Sequence, residues 1–205
     1  MHPAIYEAFR DHAADSVERC VALSLLDTPR LVSVGECLRL VRDVDGDTAE
    51  VGIASGGTSK LIALANGGRT HWACDTFDGL ADVCDLDVGL TNKMFQNVLP
   101  PVREELAGSP NVRIVPGYFP ESAPLAMAAS RFAFVHIDVD TYQSITNCFD
   151  FFAERMAPGG VIALDDVLEE SGCPGAQKAW CEILERRAGW KVVAEAPPQA
   201  VVRFA

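Results

Sequence analysis

Residues 131–167 read RFAFVHIDVDTYQSITNCFDFFAERMAPGGVIALDDV. The apolar run FAFVHI, an acidic loop, an amphipathic stretch, a Pro-Gly-Gly break and the apolar run VIAL spell strand, helix, strand. Strands without polar alternation suit a parallel sheet covered by helices on both faces. Between them Tyr142, Ile145, Phe149, Phe152 and Met156 recur at helical spacing, and Ala157-Pro158-Gly159-Gly160 is expected to end that helix. Such a unit crosses over right-handedly, so both strands end at one edge of the sheet, the edge where open α/β sheets bind ligands. Asp138 arrives there from the first strand, Asp165 and Asp166 from the second. Carboxylates gathered in this way repel one another unless a positive charge lies between them. A hard divalent cation with oxygen ligands, most simply Mg²⁺, answers that need.

Upstream, residues 49–68, AEVGIASGGTSKLIALANGG, give a strand, a glycine turn and a helix that Thr58 or Ser59 opens and Gly67-Gly68 closes. Glu50, Gly52, Ser55, Gly56 and Gly57 lie in the swing from strand to helix. Glycines there let a ligand rest on the backbone near unpaired helix N–H groups, or simply make a tight turn. The pattern is not GxGxxG, which argues against a nicotinamide or flavin dinucleotide. The next strand, within THWACDTFDGL, ends in Asp75, 18 positions beyond Gly57. That is close to the ~20-residue offset at which an acid takes the ribose hydroxyls of an adenosine cofactor. A loop-capping role is the plainer alternative. A third strand, VRIVPGYF, puts Gly117, Tyr118 and Phe119 at its end, where an aromatic can face an adenine ring or pack under the following helix.

The whole chain, residues 1–205, is expected to form a single domain. Residues 1–47 hold N-terminal helices, one over about 3–27 and a second that Thr28 caps and Pro29 opens, with Leu31, Val34, Leu38 and Val41 inward. Residues 79–107 exceed the usual connection length and carry Pro100-Pro101, so a lid-like insertion with a helical start at 92–99 is expected, with Met94 and Phe95 either lining the substrate pocket or simply packing. Near the C-terminus a helix from Pro174 turns Ala176, Trp180 and Ile183 inward and pairs Glu182 with Arg186. GWKVVAEA and AVVRFA then close the sheet as an antiparallel hairpin.

Charge and composition narrow the partners. Against 17 basic residues stand 29 acidic ones, a net charge of −12, and no Lys/Arg cluster offers a phosphate track. Nucleic acid and anionic membrane are therefore unexpected partners. No apolar run approaches the ~20 residues of a bilayer span. Seven cysteines without CxxC spacing, and an N-terminus without export features, point to reduced thiols in the cytoplasm. The N-terminal helices suit a cover over the substrate or a homodimer contact.

Taken together, AEVGIASGGTS, CDTFDGL, VPGYF, HIDVDTYQS and PGGVIALDDV resemble the macrocin-type (TylF-like) sugar O-methyltransferases. The resemblance spans residues 49–178. It implies a Rossmann-like class I methyltransferase fold, S-adenosylmethionine and Mg²⁺ as cofactors, and a small hydroxylated acceptor such as a sugar in natural-product biosynthesis. It further implies Asp138, Asp165 and Asp166 as metal ligands, with Asp138 also the candidate base. Glu50, Gly52, Ser55, Gly56 and Gly57 take the methionine side of the cofactor and Asp75 its ribose. Thr58, Thr76, Phe77, Gly117, Tyr118 and Asp138 complete the expected cofactor-binding set. Val167 stands where the family has Tyr, removing an aromatic from the acceptor side. His136, two residues before Asp138, is either a second candidate for the catalytic base or a buried, hydrogen-bonded strand residue. Two rival readings keep the fold: a methyltransferase without a metal, and a non-catalytic nucleotide-binding module.

Overall fold

The computed structural model describes residues 1–97, 99–186 and 188–205, with the side chain of Glu170 also left aside. Seven strands form one sheet in the order β3-β2-β1-β4-β5-β7-β6. They are β1 (Asp47–Val51), β2 (His71–Asp75), β3 (Val112–Pro116), β4 (Phe132–Ile137), β5 (Met156–Leu164), β6 (Trp190–Ala196) and β7 (Gln199–Phe204). The first five pair in parallel, and β7 runs antiparallel to β5 and to β6, which is the expected terminal hairpin. Among the described residues, eight α-helices accompany them: α1 (Pro3–Ala8), α2 (Ala14–Leu23), α3 (Thr28–Leu40), α4 (Gly57–Ala65), α5 (Leu99–Leu106), α6 (Leu125–Ala128), α7 (Tyr142–Ala153) and α8 (Pro174–Glu185).

Strand alternation divides the core. Val135, Ile137, Ile162 and Leu164 face α7 and α8, packing with Ile145, Phe152, Trp180 and Ile183. Phe134, Val161 and Ala163 face the other way, onto α3 and α4, with Leu31, Val34, Leu61 and Ile62. Each such large side chain contributes about 1.5–3 kcal/mol by leaving water. The N-terminal helix α3 thus shares the cover of this face with α4, the crossover helix between β1 and β2. Among the described residues, no helix is long and apolar enough to cross a membrane. All seven cysteines are free thiols.

Several local expectations change. The first helix is two, α1 and α2, separated around Arg10–His12. Asp27, not Thr28, caps α3 by accepting a hydrogen bond from Arg30 N. Met156 and the Ala157-Pro158-Gly159-Gly160 segment belong to β5, where the β4 register jumps from Phe132↔Met156 to Phe134↔Val161, so the break is a bulge inside the strand. Residues 92–95 form turns, and Pro100-Pro101 occupy the first turn of α5, where a proline loses no hydrogen bond. Val98, inside the stretch expected to be helical, lies outside the described residues. Glu182 pairs with Lys178, and Arg186 with Asp150 on α7, in place of an internal Glu182–Arg186 pair.

Candidate active site

The carboxyl ends of β1 to β5 open onto a cleft of about 360 Å³. Gly52 and Ala54 line it from β1, Asp75 and Thr76 from β2, Gly117 and Tyr118 from β3, Asp138 and Asp140 from β4, and Asp166 from the end of β5. Arg30 of α3 reaches in from the N-terminal side. Leu25, Leu90 and Phe95 form an apolar rim, and Leu25 and Phe95 remain 67% and 58% exposed. The chain turns sharply at these strand ends. Ala54, Phe77, Asp140 and Asp166 all have positive φ, from 46° to 59°, a left-handed conformation costing of order 1–3 kcal/mol each. Gly52, φ +87°, is needed for another reason: a Cβ there would sit 1.7 Å from the Asp138 carbonyl oxygen. Only glycine lets the ends of β1 and β4 meet.

The expected cofactor residues divide into two groups. Gly52, Asp75, Thr76, Gly117, Tyr118 and Asp138 border the cleft. Asp75 Oδ2 accepts from the amides of Ile53 and Ala54, and its Oδ1 from Phe77 N at 2.7 Å, so the capping role is real and it shapes the wall. Burial raises the Asp75 pKa against the lowering effect of those amides. Glu50, Ser55, Gly56, Gly57, Thr58 and Phe77 do not line the cleft. Gly57 makes room for the end of α2, since a Cβ would lie 2.3 Å from Ser24 N, and Gly56, with φ +82°, takes the left-handed conformation at the N-cap of α4 beside Val102 and Leu106 of α5. Thr58 bonds Ser24 Oγ at 2.7 Å, and Phe77 packs with Ile53, Val102 and Leu106. Phe119 packs against Phe151 and Phe152 and also lines the cleft beside Gly117 and Tyr118. Met94 is off the lining, whereas Phe95 is on it, and Val167 is buried in the core rather than turned to an acceptor.

Glu50 and His136 lie beneath the cleft. Both are buried, and His136 Nδ1 meets Glu50 Oε1 at 2.9 Å while its Nε2 faces Gln199 Nε2 at 3.3 Å. Ser59 Oγ donates to the other Glu50 oxygen. Burial alone would depress the imidazole, but Glu50 and then Asp165 carry its pKa above the ordinary value. With each ring nitrogen occupied inside the sheet, His136 cannot reach a substrate proton, and of the two readings the buried strand residue stands.

The acids do not form the single expected trio. Ligand atoms of Asp138 and Asp165, with His136, come within 4.8 Å of one another, and those of Asp166 group with Asp140 and Cys173. Asp140, two residues beyond Asp138, is therefore part of the cluster although only its neighbour stood out in the sequence. Asp165 is 0% exposed, its Oδ2 accepts from Arg30 Nη1 at 2.8 Å, and its Oδ1 has no hydrogen-bond partner. Burial, then Asp165, Asp140 and Asp166, hold the Asp138 pKa well above the carboxylate range. Burial and Asp166 lift Asp140 to about 7. Asp165 is raised as well, by burial against the opposing pull of His136 and Arg30. Cys173 is pushed up to about 12, first by burial and then by Asp166 and Asp140, so it presents a neutral thiol that a hard ion does not choose. Asp138 and Asp165 remain as the oxygen pair with an open, buried lone pair.

A family model described as Macrocin-O-methyltransferase (TylF) matches residues 2–186. The chain belongs to this macrocin O-methyltransferase family. Among individual proteins, the 8-demethyl-8-(2,3-dimethoxy-alpha-L-rhamnosyl)-tetracenomycin-C 4'-O-methyltransferase of Streptomyces olivaceus is 28% identical over 165 residues. The match takes in 71% of this chain and 63% of that relative, so the chain covers under two-thirds of its length. Among solved structures, the O-methyltransferase NovP superposes with a TM-score of 0.74 at 21% identity, covering 89% of this chain and 82% of NovP. CalS11, a calicheamicin methyltransferase, superposes with a TM-score of 0.65 at 21% identity, covering 94% of each chain. The fold of the macrocin O-methyltransferase family member described here is thus the Rossmann-like class I methyltransferase fold, as its sequence motifs implied.

Proposed function

We propose that this chain is an S-adenosylmethionine-dependent O-methyltransferase that methylates a hydroxyl of a sugar or similar polyol borne by a small molecule, with Mg²⁺ held by Asp138 and Asp165. Family membership supports the methyl transfer, and the Streptomyces olivaceus relative supports a glycosyl hydroxyl as acceptor. The observation that carries the reading is the shared cleft: acids at the ends of β4 and β5 border the same space as Gly52, Asp75 and Gly117 at the ends of β1 to β3. A methyl donor and an oxygen acceptor can lie side by side there. The residues also fit a hard cation, because Asp165 Oδ1 is buried without a partner and the acids around it are raised by burial and then by one another, which a cation would offset.

S-adenosylmethionine supplies a methyl group activated by its sulfonium, and the ion supplies charge that makes a neighbouring hydroxyl more acidic. The protein's part is placement and proton transfer. Asp75 keeps acceptor capacity on Oδ1 for a ribose hydroxyl, since that oxygen takes one amide. Gly52 lets the ends of β1 and β4 close on each other at the cleft wall, which places Asp138 there. Asp138, on the cleft wall at the end of β4, takes the acceptor's proton in its ionised form. Leu25, Leu90 and Phe95 at the mouth exclude water, with the segment from residue 79 to 97 as a lid. Asp166 and Asp140 border the same cleft.

Purified protein incubated with S-adenosylmethionine and glycosylated polyketides tests this, with S-adenosylhomocysteine and methylated product read by mass spectrometry. Product is expected with donor and ion present and lost on chelation. No binding of S-adenosylhomocysteine by calorimetry would overturn the methyl-transfer reading, whereas full turnover in EDTA would remove only the metal.

A further inference from the structure

We propose that Arg30, in the first turn of α3, is a positioning residue for the proposed ion site: it pins one oxygen of Asp165 so that the other is presented to the cation. The inference rests on the ion reading given above. Arg30 Nη1 donates to Asp165 Oδ2 at 2.8 Å, and Arg30 Nε donates to Asp27 Oδ1 at 3.2 Å. Asp27 Oδ1 is the same oxygen that caps α3 by accepting from Arg30 N at 3.1 Å. The guanidinium is therefore held from behind by the helix cap, and its planar fork needs little further ordering to hold a carboxylate. On the strand side, Asp165 N closes the last rung of β5 to Ile137 O at 2.8 Å. Backbone and one carboxylate oxygen are both fixed, so the direction of the remaining oxygen is fixed as well.

That remaining oxygen is the telling atom. Asp165 is fully buried, and Oδ1 has no partner within the protein. Burying an acceptor without a partner costs roughly 1–3 kcal/mol. Asp165 does not itself line the cleft, but its ligand atoms lie within 4.8 Å of those of Asp138, which does, so an ion held between the two would remove that cost. An arginine placed to compete with a cation would be expected to cover both oxygens in a bidentate grip, the usual geometry for this pair. Here a single Arg30–Asp165 hydrogen bond leaves one oxygen open. Outer partners that orient a ligating carboxylate are commonly worth 10–100-fold in metal affinity. The N-terminal helices thus reach the site through one side chain, besides covering the sheet.

Calorimetric titration of Mg²⁺, repeated with Mn²⁺, into the full-length wild type, Arg30→Gln and Arg30→Lys tests the inference, with S-adenosylhomocysteine affinity and melting temperature recorded on the same samples. Arg30→Gln is expected to weaken ion binding by about 10–100-fold, Arg30→Lys to recover part of it, and S-adenosylhomocysteine affinity to stay within about twofold. Unchanged ion affinity in Arg30→Gln would show that Asp165 is placed without Arg30, and tighter binding would show competition; either overturns the inference while leaving the ion reading intact. If Arg30→Gln does not fold, Arg30→Lys decides, because the ammonium keeps the charge but not the anchored fork and should still bind the ion more weakly. A wild type that takes up neither ion removes the ion reading and this inference together.

Discussion

Two groups of buried polar side chains share one face of the sheet and are built in opposite ways. The first runs across the strands under α3 and α4. Asn66 donates to Thr48, Thr48 meets His71, His71 meets Ser59, Ser59 donates to Glu50, Glu50 pairs with His136, and His136 meets Gln199, which accepts from Ser33. Each member hands its hydrogen bond to the next. The second group begins one step further along the same strands, where Asp138, Asp140, Asp165 and Asp166 crowd together, Arg30 touches Asp165, and Asp165 Oδ1 is left without a partner. A satisfied buried network rigidifies a fold, while an unsatisfied one stores a demand that something else must meet. The closed chain therefore reads as scaffold and the open cluster as a ligand site.

Substitutions in the two groups should move different observables. Asp138→Asn is expected to lower turnover by about 10²–10⁴-fold, the range for losing a general base. The melting temperature of the ion-free protein should hold or rise, because one of several mutually repelling acids is gone. Glu50→Ala, on the neighbouring strand, should behave in reverse. It leaves the buried His136 Nδ1 and Ser59 Oγ without their acceptor, a change of roughly 1–3 kcal/mol in stability, read as a lower urea midpoint. A variant at Asp138 that unfolds, beside a Glu50→Ala protein of full stability, would invert the assignment of scaffold and site.

Acidity separates the groups next. Burial, and then His136, push His71 down to about 3 from 6.5. Between those values the unfolded chain binds a proton that the fold refuses, so the contribution of His71 is complete above pH 6.5 and is lost as the pH falls through that window. Asp140 works with the other sign. Its pKa rises from 3.8 to about 7, so between these values the folded chain holds the extra proton, and stability declines as the pH rises. Thermal melts from pH 4 to 8 should show a shallower acid limb in His71→Gln and a shallower decline toward neutrality in Asp140→Asn. Identical profiles for wild type and His71→Gln would mean that the closed chain tolerates a charged imidazole.

The parallel sheet and the edge that carries the acids were legible because they follow from local signals: apolar runs, helical spacing, and the strand ends where Asp138, Asp165 and Asp166 stand. Proline and glycine were harder to read. Pro100-Pro101 and Ala157-Pro158-Gly159-Gly160 punctuate the chain, yet the first pair opens a helix and the second segment bulges inside a strand, since both residues serve several backbone roles. Gly52, Gly56 and Gly57 look alike in the sequence. Their tasks differ: Gly52 clears the Asp138 carbonyl, Gly56 takes the left-handed conformation at the N-cap of α4, and Gly57 clears the end of α2. Arg30 left no signal, because its partner lies 135 positions away and no period or motif links an N-terminal helix to a strand end.

The smallest effect is expected one turn along α3 from Arg30, and it sharpens the contrast most directly. Ser33 is three residues on and turned to the same sheet face, but its hydroxyl enters the closed chain, donating to Gln199 Oε1 at 2.6 Å. Ser33→Ala removes a single neutral hydrogen bond and should cost about 1 kcal/mol of stability, seen as a small drop in urea midpoint. Neither the proposed ion affinity nor turnover should move, because Gln199 and His136 end inside the sheet rather than in the cleft. Loss of ion affinity in Ser33→Ala comparable to that expected for Arg30→Gln would mean that the closed chain steers the open cluster through His136, and that the two groups are one network instead of neighbours.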